Sequence, residues 1–434
     1  MMPARQPSLP LTLRRVVDSR AGIATRLREA AGDPFTPDLF VASVDGPAAS
    51  YFVNRQPANW NNSSLGSGAA FSREQALWST VGEAMERYSA SIYDNGDFLI
   101  AREAELPGPA INLADCILFT PGQQADEVFP FRPYDPEKPR AWVEGRDCLT
   151  ASPIWAPAQM VYLSQGWPPE DVLGQTVSTG NACHISVERA MLAGMLEQIE
   201  RDGFTSAWLL KYAPPKLNLD DTTKSKLSAP CLKAIASSDL PITLCAAPNE
   251  FGVFNIFAFA EHRELGVGVV GACARLDLAA AVEKAVVEAL HGWSACHRAR
   301  NGAEAFPEKH EIKNPHDHSL FYHQPGPWAD MSWFRSSPET VDSTDLQRGP
   351  PIAGPRELAA RLAAGGIASS WYELTSEDVG LLGFRVVRVL APGLQPLTFG
   401  AGLISGDRRR LEANARFWRL DPDTVLNSEP HPFP

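Results

Sequence analysis

The chain has 434 residues, 44% of them hydrophobic, which is enough for a large core and more than one structural layer. A net charge of −12, with no basic run longer than Arg408-Arg409-Arg410, excludes bulk nucleic-acid binding and leaves any phosphate to be held through metal. The seven cysteines are scattered without a CxxC pair, and no stretch reaches transmembrane length. A reduced, cytoplasmic protein with no structural zinc, no secretion and no membrane partner is therefore expected.

Residues 16–44 combine a helical stretch with the apolar run Leu39-Phe40-Val41-Ala42-Ser43-Val44, expected as a strand. Asn61-Asn62-Ser63-Ser64 and Gly66-Ser67-Gly68 then read as a loop leading into a helix that Ser72 and Gln75 open as a capping box. Prolines recur from 106 to 139, so a long surface excursion is expected there. Ser178-Thr179-Gly180 precedes a second helix with Ser186 as its N-cap, and His184 falls in the loop between. The runs at 242–245, 255–260 and 266–273 read as strands, and a third helix, capped by Asp277, covers about 278–293. Residues 306–355 turn polar and proline-rich, as a loop or insertion would, and 384–390 reads as a last strand. Interleaved strands and helices predict an α/β (α+β) fold, one intertwined domain rather than several separable ones. The expected division is an N-terminal segment 1–70, a core 71–405 and a tail 406–434.

The first two helices share one pattern. Glu83-Ala84-Met85-Glu86-Arg87 and Glu197-Gln198-Ile199-Glu200-Arg201 are both ExxER. Carboxylates three residues apart and an arginine four along fall on one helical face. From 76 to 90 the only charged side chains are Glu83, Glu86 and Arg87, opposite an apolar face of Leu77, Val81, Ala84, Met85 and Tyr88. On the second helix, Ala190, Ala193 and Gly194 lie beside the acids, as close packing would require. A lone ExxER is ordinarily a solvated ion-pair face. Two copies in mostly apolar helices point instead to clustered carboxylates that need cations, divalent metals above all.

Other motifs carry less. Gly266-Val267-Gly268-Val269-Val270-Gly271 fits GxGxxG but sits inside a strand-like run, whereas a dinucleotide site needs strand, turn and helix within those residues. No GxxxxGK[ST] occurs, which excludes a P-loop. His310, His316, His318 and His323 lack metal-ligand spacing and are expected to be solvated. What remains is a phosphate chemistry without a P-loop, in which magnesium bridges carboxylates to phosphates and arginines contact the phosphates or orient the acids. Ser79 shares the face of Glu83 one turn before it; Lys284 and Glu288, one turn apart on the third helix, are weaker additions.

These blocks, with Ser178-Thr179-Gly180-Asn181-Ala182-Cys183-His184 and Val387-Arg388-Val389-Leu390-Ala391-Pro392-Gly393-Leu394-Gln395-Pro396, occur in an order that resembles the YcaO family over most of the chain. The resemblance implies the family's ATP-binding fold, with sheets packed on the ExxER helices. It implies Glu83, Glu86, Glu197 and Glu200 as Mg2+ ligands, and Ser79, Arg87, Ser178 and Arg201, joined by Lys284 and Glu288, as the ATP-binding set. Ile185 and Arg189 stand where many members have Asn and Glu, so those two contacts do not transfer; Glu188 is one residue out of phase.

The terminus Pro430-His431-Pro432-Phe433-Pro434 resembles the PxPxP of the branch that forms azolines in ribosomally synthesised peptides. Alternate prolines favour a stiff extended rod whose end can be placed at little entropic cost. The resemblance implies a cyclodehydratase that uses ATP and Mg2+ to phosphorylate a backbone amide oxygen of a precursor peptide, with the Pro434 carboxylate as base. It also implies a separate E1-like (ThiF-like) leader-binding partner, a flavin-dependent azoline dehydrogenase acting later, and a homodimer. A thioamide- or amidine-forming enzyme and a non-catalytic peptide-binding scaffold are the alternatives.

Overall fold

In a computed structural model of the protein, the described residues are 9–30, 33–46, 64–116, 118–125, 129–163, 167, 172–302, 304–346, 350–406, 408–421 and 423–433. Helix α1 (Leu9–Val16) precedes strands β1 (Arg26–Ala30), β2 (Phe40–Asp45) and β3 (Ser64–Ala70), which pair antiparallel in that order. Helix α2 (Arg73–Ala90) follows and carries the first ExxER. A six-stranded sheet has the order β4 (Leu99–Ala101), β5 (Arg140–Asp147), β13 (Ser370–Glu373), β14 (Arg385–Leu390), β7 (Asn181–His184), with β6 (Pro153–Pro157) on the other side of β5. The second ExxER lies on α3 (Val187–Leu209). A five-stranded sheet has the order β11 (Val267–Arg275), β10 (Phe254–His262), β9 (Ile242–Ala247), β8 (Lys216–Asn218), β12 (Thr340–Asp342), and α4 (Leu278–Asn301) packs on β10 and β11. Helices α5 (Pro315–Tyr322) and α6 (Arg408–Phe417) complete the elements used below.

α2 buries Leu77, Val81, Ala84 and Met85, the expected apolar face, against β2 and β3. The approach is close because β3 is glycine-rich: a Cβ on Gly68 would lie 2.5 Å from the Thr80 nitrogen. Thr80 donates its hydroxyl to the Ala42 carbonyl of β2 at 3.2 Å, pinning the helix to the sheet. α3 is enclosed on most sides, which explains its weak amphipathicity: a helix between two sheets has no solvent face to keep polar. On one side Gly194 meets β14 and the preceding loop, where a Cβ would lie 2.6 Å from the Gly180 carbonyl oxygen. On the other, the Asn255 amide of β10 donates to the Ile199 and Glu200 carbonyls at 3.3 Å each. Gly180 itself has φ of +89°, a turn that brings Ser178 beside β14.

Several sequence expectations change. The helix near the start is α1, ahead of residue 16, and Arg26–Ala30 is a strand. Gly66-Ser67-Gly68 belongs to β3, not to a loop, and Asn61, Asn62 and Ser63 lie outside the described residues. Ser72 occupies the N-cap of α2 but its side chain makes no capping bond. Ser186 and Asp277 do cap α3 and α4, accepting from Arg189 N (3.3 Å) and Ala280 N (2.9 Å). The proline-rich stretch after 106 holds, among its described residues, only short helices, Leu113–Asp115 and Pro121–Ala125, and is not all surface, since Ile111, Leu113 and Phe131 are buried in it. Region 306–355 is no loop: it holds α5, shorter helices and β12, and buries Trp328 and Phe334. Its histidines divide, with His318 and His323 buried rather than solvated, because α5 packs inward on β11. Ala193 is exposed, whereas its neighbours Ala190 and Gly194 are buried. No helix among the described residues is long and apolar enough to cross a membrane.

Candidate active site between the two ExxER helices

The two copies are anchored alike. Glu83 Oε2 accepts the Ser67 N–H from β3 at 2.7 Å, and Glu83 Oε1 pairs with Arg87 Nη2 at 2.5 Å. Glu197 Oε2 accepts the Gly180 N–H at 2.9 Å, with Arg201 Nη2 3.5 Å from Oε1. In each case a backbone donor from the segment before the helix and the motif's own arginine hold the first glutamate. Such bonds to an ionised acceptor are stronger than neutral ones. Glu200 turns toward the other sheet, where the Ala274 N–H of β11 donates to its Oε2 at 3.0 Å.

The second glutamate of each copy carries the electrostatic cost. Burial, then Glu197 and Glu83, push the Glu86 carboxyl well above the ordinary range, against the pull of Arg87 and Arg388. Glu200 is likewise pushed up to about 7, first by burial, with Arg201 and Arg275 opposing and Glu197 adding to the rise. At Glu86 and Glu200 burial thus outweighs the arginines, and a bound cation would offset it.

The sequence reading did not single out Arg388 or Arg275 as site residues. Arg388, on β14, is buried; its Nη1 donates to the Val177 carbonyl at 2.7 Å and lies 3.3 Å from Asn181 Oδ1. Burial pushes its pKa down to about 10 despite Glu197 and Glu86, and its Nε has no hydrogen-bond partner among the described residues. Arg275 ends β11 near Glu200 and Glu288; burial opposes its charge, but Cys273, Glu200 and Glu288 hold its pKa above the ordinary value. The available signal was a charged side chain inside an apolar strand, Val386-Val387-Arg388-Val389-Leu390, which only a buried counter-charge explains.

Ser79 is exposed on α2 one turn before Glu83, and Ser178 is half-buried in the turn before β7. Lys284 and Glu288 pair on α4 and are partly exposed; burial raises the Glu288 carboxyl, but Lys284 and then His291 hold it below its ordinary value. Burial pushes His291 of α4 below its ordinary value, against the pull of Glu288 and Glu83. His184 ends strand β7, not a loop, and its Nδ1 accepts the Ile185 N–H at 2.8 Å.

The tail ends against the second ExxER helix. Pro430, His431, Pro432 and Phe433 are all buried, and Pro434 lies outside the described residues. The Phe433 ring packs on Phe204, with centroids 4.7 Å apart, and the Arg201 guanidinium carbon lies 4.3 Å from its centroid. The described end of the chain therefore rests on the arginine of the second ExxER.

Among the described residues, no three His, Cys, Asp or Glu side chains already stand at metal-binding spacing. The donor set nevertheless fits a hard divalent cation: every candidate ligand is a carboxylate oxygen, and Glu86 and Glu200 carry an electrostatic cost that such a cation would relieve. Fold and site together define a protein that handles a polyanion through acidic helices rather than a P-loop.

Residues 67–395 match the family model described as YcaO cyclodehydratase, ATP- and Mg2+-binding, and the chain belongs to that family. The chain is similar throughout its length to a heterocyclase solved in complex with substrate and cofactor (TM-score 0.78, 19% identity), spanning 58% of that longer chain. It is also similar to the YcaO protein of Methanopyrus kandleri, solved with AMPPCP and Mg2+ (TM-score 0.65, 20% identity, 92% of this chain and 93% of that one). An uncharacterized protein of Methanothermobacter thermautotrophicus is 26% identical over 352 residues, 76% of this chain and 82% of its own length. At these identities the two solved structures speak to fold.

Proposed function

We propose that this protein is an ATP-dependent cyclodehydratase that converts Cys, Ser or Thr residues of a ribosomally synthesised precursor peptide to thiazolines or oxazolines. The observation that carries the reading is the like anchoring of the two ExxER copies, Glu83 by the Ser67 N–H and Arg87, Glu197 by the Gly180 N–H and Arg201, with Glu86 and Glu200 costly to ionise. The buried tail at Arg201 favours the azoline branch over thioamide or amidine formation. Glu83, Glu86, Glu197 and Glu200 would hold Mg2+, which when bound supplies the positive charge that a polyphosphate needs. Arg87 and Arg201 orient the first glutamates and face the phosphates, while Ser79, Ser178, Lys284 and Glu288 complete the nucleotide contacts.

The peptide's thiol or hydroxyl attacks the preceding carbonyl carbon; a carbon–sulfur or carbon–oxygen bond forms, the proton leaves to a base, and the carbonyl π pair moves onto oxygen. That oxygen attacks the γ-phosphorus of ATP, and ADP departs. Loss of the amide proton then drives out phosphate as the C=N bond forms, a net loss of one water. The arginines would stabilise the charge on the transferring phosphoryl group. The Pro434 carboxylate is assigned as the base; its support is the family likeness and the position of Phe433 one residue before it. In the same reading, residues 71–405 form the catalytic core, 1–70 lead into it, and 406–434 return to it. An E1-like partner presents the leader of the peptide, a flavin-dependent dehydrogenase acts on the product, and the protein works as a homodimer.

Mass spectrometry of a Cys/Ser-rich precursor peptide from the same gene neighbourhood, incubated with this protein, its E1-like partner and Mg-ATP, tests the reading. Loss of one water per modified residue, dependent on ATP and abolished in Glu83→Ala, is expected. A peptide of unchanged mass despite demonstrated ATP binding would overturn it, and an oxygen-to-sulfur mass gain would place the enzyme in the thioamide branch.

A further inference from the structure

Region 306–355, read from sequence as an insertion, folds back so that two side chains one turn apart on α5 grip the C-terminal strap. Three successive strap carbonyls each accept a side-chain hydrogen bond. Trp208 Nε1 donates to the Glu429 carbonyl at 2.8 Å, Tyr322 Oη donates to that of Pro430, and His318 Nδ1 lies 2.7 Å from that of His431. Prolines at 430 and 432 remove the strap's own N–H donors there, so carbonyls are what a receptor can hold.

The imidazoles are set for this task. The Gly400 N–H donates to His318 Nε2 at 3.0 Å, which leaves Nδ1 as the protonated nitrogen aimed at the strap. His431 stacks on His318 with centroids 4.2 Å apart; its Nδ1 accepts the Phe433 N–H at 3.3 Å and its Nε2 faces the Thr398 carbonyl at 2.8 Å. The grip thus sets the register that places Phe433 over Arg201. Covering the core would need only the apolar rings. A polar contact at three consecutive residues fixes position along the strap.

We propose that His318 and Tyr322, with Trp208, are positioning residues: they clamp the strap and so set where Phe433 stands against Arg201 of the second ExxER helix. This rests on the cyclodehydratase reading, in which the tail takes part in the reaction.

The test compares the full-length wild type with His318→Phe/Tyr322→Phe, which keeps ring volume and removes both donors, in the presence of the leader-binding partner. Three quantities are measured: hydrogen exchange of the 427–433 segment, Mg-ATP affinity by calorimetry, and kcat for the peptide. Each lost bond is a factor of roughly five to ten. Exchange at 427–433 is expected to rise, and kcat to fall, at least about tenfold, with Mg-ATP affinity within about twofold of wild type. His318→Asn, which retains a donor near the Nδ1 position, should recover part of both effects. Unchanged exchange overturns the clamp, and faster exchange with unchanged kcat overturns its positioning role. Should the double variant fail to fold, Tyr322→Phe alone is read by the same criteria. Deletion of 428–434 separates the two readings: if it leaves peptide turnover intact, the tail's role in the proposed function fails, whatever exchange shows.

Discussion

At the scale of single residues the site turns on burial rather than on a count of charges. Burial opposes ionisation of Glu86, with Glu197 and Glu83 adding to it, and of Glu200, although Arg87, Arg388, Arg201 and Arg275 pull the other way. Glu86→Gln removes a charge that burial and two neighbouring carboxylates disfavour. Its melting temperature should be no lower than that of wild type, while Mg-dependent ATP affinity falls by about two orders of magnitude, the scale of one lost phosphate-site interaction. A variant that unfolds instead would show that Glu86 is structural. Arg388→Ala acts in the opposite sense, since it strands Glu86 and Glu197 without their buried counter-charge. It should cost about 3 kcal/mol in urea denaturation, and Mg2+ should restore more stability to this variant than to wild type. Equal stabilisation by Mg2+ in both proteins would argue that Arg388 does not serve the carboxylates.

At the scale of elements, close backbone contacts place the acids. α3 can reach β14 and the Gly180 turn only because residue 194 has no side chain, and the same turn supplies the N–H that holds Glu197. A glycine in a helix interior normally costs about 1 kcal/mol relative to alanine. Here Gly194→Ala should destabilise by about 1–3 kcal/mol, because its Cβ would meet the Gly180 carbonyl at 2.6 Å. The sign of the shift in chemical denaturation decides, and a stabilised Gly194→Ala would contradict the contact. A buried ion pair ties α6 to the same helix: Arg410 Nη2 stands 2.6 Å from Asp202 Oδ2, one residue beyond the second ExxER.

At the scale of the whole molecule, two sets of buried groups oppose each other in their response to pH. Burial pushes His318 and His323 down to about 4 and His431 well below its ordinary value; the neighbouring charges are Asp317, which raises His318, Arg201, which lowers His431, and Arg300, which lowers His323. A folded state that binds fewer protons than the unfolded chain draws stability from these groups above pH about 6.5 and loses it as pH falls toward 4. Glu86 and Glu200 act the other way. Their contribution is full below the ordinary carboxylate value of 4.5 and is lost as pH rises, through about 7 for Glu200. Metal-free wild type should therefore show a shallow melting-temperature profile between pH 4.5 and 6.5, and Glu86→Gln/Glu200→Gln a steeper loss on acidification. Equal slopes would refute the opposition.

The periodic helices were legible in the chain itself, because hydrophobic spacing, Ser186 and Asp277 caps and the ExxER pattern are local properties of the residues concerned. So were the apolar strands β9 to β11, and the reading of 266–271 as strand rather than dinucleotide loop held for the same reason. That isolated charges in an apolar helix demand partners was legible too, and Arg87 pairs with Glu83 and Arg201 with Glu197. Which charges act on the glutamates was a tertiary matter: Arg388 and Arg275 come from strands distant in sequence, and Glu197, which opposes ionisation of Glu86, lies on a different helix. The glycines of β3 looked like a loop because a strand pressed against a helix backbone and a flexible turn both select residues without Cβ. Region 306–355 looked solvated because its burial relies on contacts with β11 and the tail, not on any periodicity of its own. The sequence by itself determined the chemistry available to this protein, since charge, helical phase and donor type are written residue by residue. Only the tertiary structure decided which charges confront one another and where the tail is held, because burial and distance are properties of pairs that the chain order does not contain.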